Sequence, residues 1–236
     1  MQNPAKTRDE KLTAATSVYH AIKTDIIRGT LSPGHKLRID QIAARYQVGT
    51  NPVREALNRL SSERMVDRED LRGFFVPPIS REHFRELVKT RCWLEGKALE
   101  ESIRNRTVEW EENVILANHR LKRTSLVFAD DLPEGSNPPD NSEWEDLHRA
   151  FHVTLISNCG SASLLRFCDE LMTQIERYRF ISMSNSYPRR QSGNEHQGIV
   201  DATLDGDIDL AVKRLTDQYK LTLAIFEKVT AIDETD

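Results

Sequence analysis

A chain of 236 residues is long enough for two domains. With 38% hydrophobic and 30% charged residues it has the composition of a globular protein in water. No apolar run approaches the roughly 18 residues of a membrane span. The opening MQNPAKTRDEKLTAATS is polar and lacks the apolar core of a secretory signal, so residues 1–15 are expected to form a mobile tail. Cys92, Cys159 and Cys168 have no paired spacing, which points to a reduced, cytoplasmic protein that uses them as small core residues. The net charge of −4 divides unevenly: residues 1–80 carry 13 Lys+Arg against 9 Asp+Glu, and the remainder carries 20 against 28. A basic front joined to an acidic remainder suits a nucleic-acid module attached to something else.

In SVYHAIKTDIIRGTL, Val18, Ile22 and Ile26 recur every four residues, an apolar helical stripe with Tyr19 and Ile27 beside it. Gly29 follows, where a helix end favours a left-handed residue, and Pro33-Gly34 makes a turn. A second, short helix is predicted over IDQIAARYQ, capped by Asp40, with Ile42, Ala43 and Tyr46 on one side. A third begins at Asn51-Pro52, with asparagine as the cap and proline at the first helical position. Val53, Ala56, Leu57 and Leu60 form its inward face, leaving Asn51, Arg54, Glu55, Asn58 and Arg59 outward. This is the pattern of a helix-turn-helix whose last helix enters the DNA major groove by its N-terminus. Met65-Val66 and Phe74-Phe75-Val76 then predict two short strands with Arg72-Gly73 at the hairpin tip, a wing. Arg72 would reach the minor groove or backbone, although Asp67, Glu69 and Asp70 share the hairpin.

The stretch from Tyr19 to Val76, above all IIRGTLSPGHKL and PVREALNRL, resembles the DNA-binding domain of the GntR family over residues 17–78. The resemblance implies a winged helix-turn-helix at residues 16–78 that grips double-stranded operator DNA. It implies a DNA contact for Arg54 and a role for the wing at Arg72 and Gly73. The expected DNA-facing set adds Arg38, Thr50, Asn51, Asn58 and Arg59. Alternatively, Arg54 is a surface arginine paired with Glu55 or Glu63. The chain departs from the family at Gly49-Thr50, where relatives often carry a basic or Ser-Arg pair, and at Asp40-Gln41, where some place an arginine.

From Ser80 helical periodicity takes over. Six helices are predicted, at 81–104, 107–127, 142–158, 161–184, 189–205 and 207–230, folding as an antiparallel all-α bundle. The Pro/Gly/Asn-rich residues 131–143 are expected to be a flexible connection. His148 and His152 are four apart in WEDLHRAFHVTLI, which puts both imidazoles on one helix face beside Leu147, Phe151 and Leu155. His196 is a third candidate, whereas His20, His35, His83 and His119 read as surface residues. The spacing alone is a weak metal signal, since two surface histidines often fall four apart.

RELVKTRCWLEGKALEESI, FHVTLISNCGS and EHQGIVDATLDGDIDLA together resemble the FCD sensing domain of the FadR branch of GntR regulators, over residues 80–230. Many members hold a divalent metal inside the bundle with an Asp-His pair and two later histidines, and the metal helps bind a small carboxylate effector. Carried over, the ligands are His152 and His196, with His148 in place of the usual aspartate and Gln218 in place of the last histidine. Three imidazoles suit zinc or nickel, while glutamine is a poor ligand for either. The other reading is a polar pocket in which the histidines hydrogen-bond an anion directly. Arg91, Glu95, Tyr178 and Arg179 are the candidates to line an effector pocket, Arg91 being the first choice unless it pairs with Glu95. The wording around WEDLHRAFHVTLISNCGS is similar to regulators of dicarboxylate or short-chain acid catabolism. The expectation is a homodimeric, cytoplasmic repressor that is released from DNA by a small organic acid, makes no use of membranes and is not an enzyme. The alternative is a metal-dependent hydrolase on a three-histidine site, with Glu145 as the nearest candidate base.

Overall fold

The computed structural model describes residues 13–127, 133, 141–184 and 192–232. Most of the expected tail and most of the 131–143 connection therefore lie outside the described residues. The described residues form nine α-helices and one three-stranded antiparallel sheet, in the order α1 (Ala14–Ile27), β1 (Lys36–Leu37), α2 (Ile39–Tyr46), α3 (Thr50–Ser62), β2 (Asp67–Glu69), β3 (Gly73–Phe75), α4 (Arg81–Arg104), α5 (Val108–Arg123), α6 (Ser142–Ile156), α7 (Ala162–Ser184), α8 (Ser192–Asp205) and α9 (Ile208–Ile232). The chain divides into two compact units, Met1–Pro78 and Ile79–Asp236.

In the first unit the period-four stripe of α1 is buried at Val18, Ile22 and Ile26, and the inward face of α3 is buried at Val53, Ala56, Leu57 and Leu60. These side chains share one apolar core with Leu31, Leu37, Ile42, Met65, Val66, Phe74 and Val76. The sheet has the order β1-β3-β2, with Leu37 and Arg68 both opposite Phe74.

Three local expectations are corrected here. α2 starts at Ile39 with Arg38 at the cap position and no side-chain cap, so Asp40 sits in the first turn, where its charge favours the helix dipole. α3 starts at Thr50 after Gly49, so Asn51 is not the cap. Pro52 fits the first turn all the same, because none of those N–H groups has a partner within the helix. Met65-Val66 is not a strand. Arg64 takes φ +58° and the Met65 N–H donates to the Leu60 carbonyl at 2.9 Å, so these residues close α3 and strand pairing waits until Asp67. β1 was not anticipated, since two residues leave no readable alternation.

The second unit is an all-helical bundle around a core that includes Phe84, Leu99, Trp110, Phe151, Leu155, Ile199, Leu215 and Phe226. Ser80 and Thr107 cap α4 and α5 by accepting the His83 and Trp110 N–H groups, each at 3.2 Å. Gly160 and Gly206, at φ +73° and +74°, supply the left-handed turns that follow α6 and α8. The predicted helices agree with these elements to within a few residues; the largest difference is α5, which ends at Arg123 and not at 127.

The wing tip supplies the first prediction. Leu71 takes φ +63° and is fully exposed (109%), so its side chain offsets none of the backbone strain. Leu71→Gly is expected to stabilise the N-terminal unit by about 1 kcal/mol. Leu57→Ala in the core is expected to destabilise it by about 2–5 kcal/mol. Thermal and urea unfolding of the two variants would check both directions.

Candidate functional site

Two regions carry the predicted functional residues, one in each unit. On α3, Thr50, Asn51, Arg54, Asn58 and Arg59 are all exposed, because the opposite face of the helix is the one that meets the core. Arg59 lies over the Tyr19 ring at 3.8 Å and pairs with Glu63 at 3.4 Å. Arg54 is exposed, and Arg38 is exposed at the α2 cap position. In the wing, Arg72 pairs with Glu69 and lies 5.3 Å from the Phe75 ring centre, while Gly73 holds φ +99° as β3 begins.

In the bundle the four helices α4, α6, α8 and α9 each aim polar side chains inward. His148 and His152 share one face of α6, and His196 comes to them from α8. Their candidate ligand atoms all lie within 4.8 Å of one another. His152 and His196 are buried, and His148 is half-buried. The Nε2 atoms of His148 and His152 are 3.2 Å apart. Two imidazole nitrogens on one tetrahedral zinc stand about 3.3 Å apart, given bonds of about 2.0–2.1 Å. The donor set and this spacing therefore fit a divalent metal. The same spacing also fits a hydrogen bond between one N–H and one lone pair. Gln218 is buried on α9, one residue before Tyr219.

Charged groups close the cluster at both ends. Trp144 stacks on the His148 ring with centres 4.8 Å apart. Arg179, on α7, forms an ion pair with Glu145 and contacts His148, with its NH1 3.2 Å from Nε2 and closer still to Nδ1. At the other end His152 Nδ1 lies 3.1 Å from the Tyr219 hydroxyl, which in turn bonds to Glu95. Arg91 donates to both Glu95 oxygens, at 2.6 and 3.3 Å, and its guanidinium lies 3.9 Å from the Tyr219 ring centre. Burial alone would lower the Arg91 pKa, and the Glu95 carboxylate more than offsets it, so the shift is upward. Burial also pushes the Tyr219 hydroxyl well above its ordinary range, so it is present as O–H.

Arg91 thus makes the internal pair with Glu95 that its spacing allowed. Tyr178 is buried between aromatic rings, stacked on Phe84 at 4.5 Å and edge-on to Phe226 at 5.4 Å, facing the core. Sequence reasoning did not find Tyr219, Trp144 or the Glu145–Arg179 pair as members of this cluster. It also missed Asn118, buried on α5, which donates to Gln197 at 2.9 Å beside His196. Trp144 at i−4 and Glu145 at i−3 from His148 had a local signal; Tyr219 and Asn118 had none. His20, His35, His83 and His119 are exposed, as expected. Cys159 and Cys168 are buried, Cys92 is half-buried, and all three are free.

A winged helix-turn-helix on one chain with an all-helical bundle is the build of a bacterial transcription regulator. The chain belongs to the GntR family: residues 14–76 match bacterial regulatory proteins of the gntR family, and residues 86–219 match the FCD domain. The HTH-type transcriptional regulator BphR of Paraburkholderia xenovorans is 33% identical over 209 residues, covering 89% of this chain and 83% of its own. The HTH-type transcriptional repressor GlaR of Escherichia coli is 28% identical over 217 residues, covering 90% of this chain and 96% of its own. The solved structure of E. coli McbR/YncC shares the fold, with a TM-score of 0.72 at 19% identity over 92% of this chain and 98% of its own. Among the described residues no helix is long and apolar enough to cross a membrane.

Removing one partner of the Arg91–Glu95 pair leaves a buried charge without its counter-charge. Glu95→Ala is therefore expected to cost about 3–5 kcal/mol in urea unfolding, and the double replacement Arg91→Met with Glu95→Met is expected to recover most of that loss.

Proposed function

We propose that this transcription regulator is a homodimeric repressor whose hold on double-stranded operator DNA is set by a small organic acid bound in the bundle. The observation that carries the reading is the largely buried three-histidine cluster closed on one side by Arg179. GlaR, at 28% identity over 90% of this chain, bears the name of a repressor.

On the DNA side, Arg54 and Asn58 are the residues to read base edges, since both project from the exposed face of α3. A guanidinium fits guanine bidentately, and an asparagine amide fits adenine. Thr50, Asn51, Arg38 and the wing residues Arg72 and Gly73 take phosphate or groove contacts that fix register. Arg59 is divided between DNA and its contacts with Tyr19 and Glu63.

On the sensing side, His148, His152 and His196 would hold zinc or nickel, with Gln218 on α9 as a fourth, weak contributor. The metal would supply a Lewis-acidic anchor for an oxygen of the acid. Arg179 takes the acid's carboxylate in place of Glu145, with which it now pairs. Arg91, Glu95 and Tyr178 act from behind this site as a buried buttress. Because Arg179 also touches His148, an acid that draws the guanidinium away changes the surroundings of α6 and α7 together. A coupling of about 1–3 kcal/mol between this site and the DNA-binding heads would change operator affinity roughly 5–150-fold. Against the hydrolase alternative, Glu145 is engaged by Arg179 and so is poorly placed as a general base.

Metal content of protein purified without an affinity tag tests the sensing site. One zinc or nickel per chain, lost in His148→Ala with His152→Ala, is the expected result. A metal-free protein that still responds to an acid would move the site to direct hydrogen bonding by the histidines. On the DNA side, Arg54→Ala is expected to weaken binding to an operator selected from a random pool by about 1–3 kcal/mol in fluorescence anisotropy and to relax specificity at one position.

A further inference from the structure

We infer that Tyr219 and Glu95 fix His152 as its Nδ1–H tautomer and so hold the Nε2 lone pair of that ring ready as a ligand atom. The role of ligand rests on the metal reading above; the tautomer does not.

The assignment follows from counting protons along one hydrogen-bonded chain. Glu95 is fully buried and receives two N–H donors from Arg91, so it is a carboxylate that only accepts. Tyr219 has one hydroxyl proton, and its contact with Glu95 requires that this proton point at the carboxylate. The Tyr219 oxygen is then an acceptor toward His152 Nδ1, 3.1 Å away, and that nitrogen must carry the ring proton. In the neutral ring Nε2 is left with its lone pair, aimed into the cluster 3.2 Å from His148 Nε2. Beyond it, Arg179, which has only donors, faces both nitrogens of His148 and lies closer to Nδ1.

The two histidines of α6 therefore differ. His152 is preset for a ligand by a partner 67 residues away on α9, whose own carboxylate partner is 124 residues away on α4. His148 is preset against a ligand as long as Arg179 faces it. A carboxylate that hydrogen-bonds the far side of a ligating imidazole orients the ring and raises its basicity. Here the carboxylate acts through a tyrosine. Because Arg91 neutralises Glu95, what the carboxylate adds behind the site is a fixed acceptor for the Tyr219 proton and no net charge. Tyr219 and Glu95 are positioning residues in this scheme and touch neither metal nor effector.

The test has two arms. In metal-free wild-type protein labelled with 15N-histidine, long-range 1H–15N spectra should show His152 as the Nδ1–H tautomer. Its signals are assigned by their loss in His152→Gln, and they should move toward Nε2–H in Tyr219→Phe. Zinc titration by calorimetry should show Tyr219→Phe binding roughly 10–100-fold more weakly than wild type, with the far-UV spectrum unchanged. The first arm needs only folded wild-type protein, so it holds even where the variant folds poorly. A wild-type His152 protonated at Nε2, or a folded Tyr219→Phe with unchanged tautomer and zinc affinity, would overturn the inference. Wild-type protein that shows the Nδ1–H tautomer and binds neither zinc nor nickel would overturn the ligand role together with the metal reading. Failure of the relay and failure of the metal are thus told apart.

Discussion

A carboxylate can be kept out of water inside a helical bundle only if cations and protons are brought to it. Glu95 is fully buried, and the interior of the second unit is arranged around that requirement. Arg91 meets it one turn earlier on α4, Tyr219 meets it from α9, and the hydroxyl of Tyr219 meets His152 on α6. Through this one group, three helices acquire a fixed register on a polar axis, and the apolar residues around it pack as an ordinary bundle core.

The far end of that axis is less deeply enclosed. Arg179 pairs with Glu145 and contacts His148 at a place where both imidazole and carboxylate are half-buried. The site is thus closed by buried, satisfied groups at one end and by a less deeply buried ion pair at the other. That contrast supports assigning a structural role to Arg91 and a ligand-facing role to Arg179, two arginines that composition alone treats alike. The N-terminal unit shows the same division on a smaller scale. One face of α3 is committed to a core with α1 and the sheet, which leaves Arg54 and Asn58 exposed on the other.

What could be read from the sequence follows from the range of the interactions. His148 and His152 share a face because a helix repeats every 3.6 residues, so their juxtaposition was visible four residues apart. The same period separated Leu57 and Leu60 from Arg54 and Asn58. Tyr219 carried no such signal, since its partners lie 67 and 124 residues away and only packing brings them together. The cap of α3 and the start of the wing were misplaced for a related reason. Left-handed turns at Gln47 and Arg64, residues with no special freedom there, decide where the chain leaves one element and enters the next.

The most direct test of the account is anomalous X-ray diffraction at the zinc and nickel absorption edges, from crystals of protein purified without an affinity tag. The account predicts one strong peak inside each bundle, within bonding distance of nitrogens from His148, His152 and His196, with His152 bound through Nε2. A fully ordered cluster with no peak, or a peak only at surface residues, would contradict it.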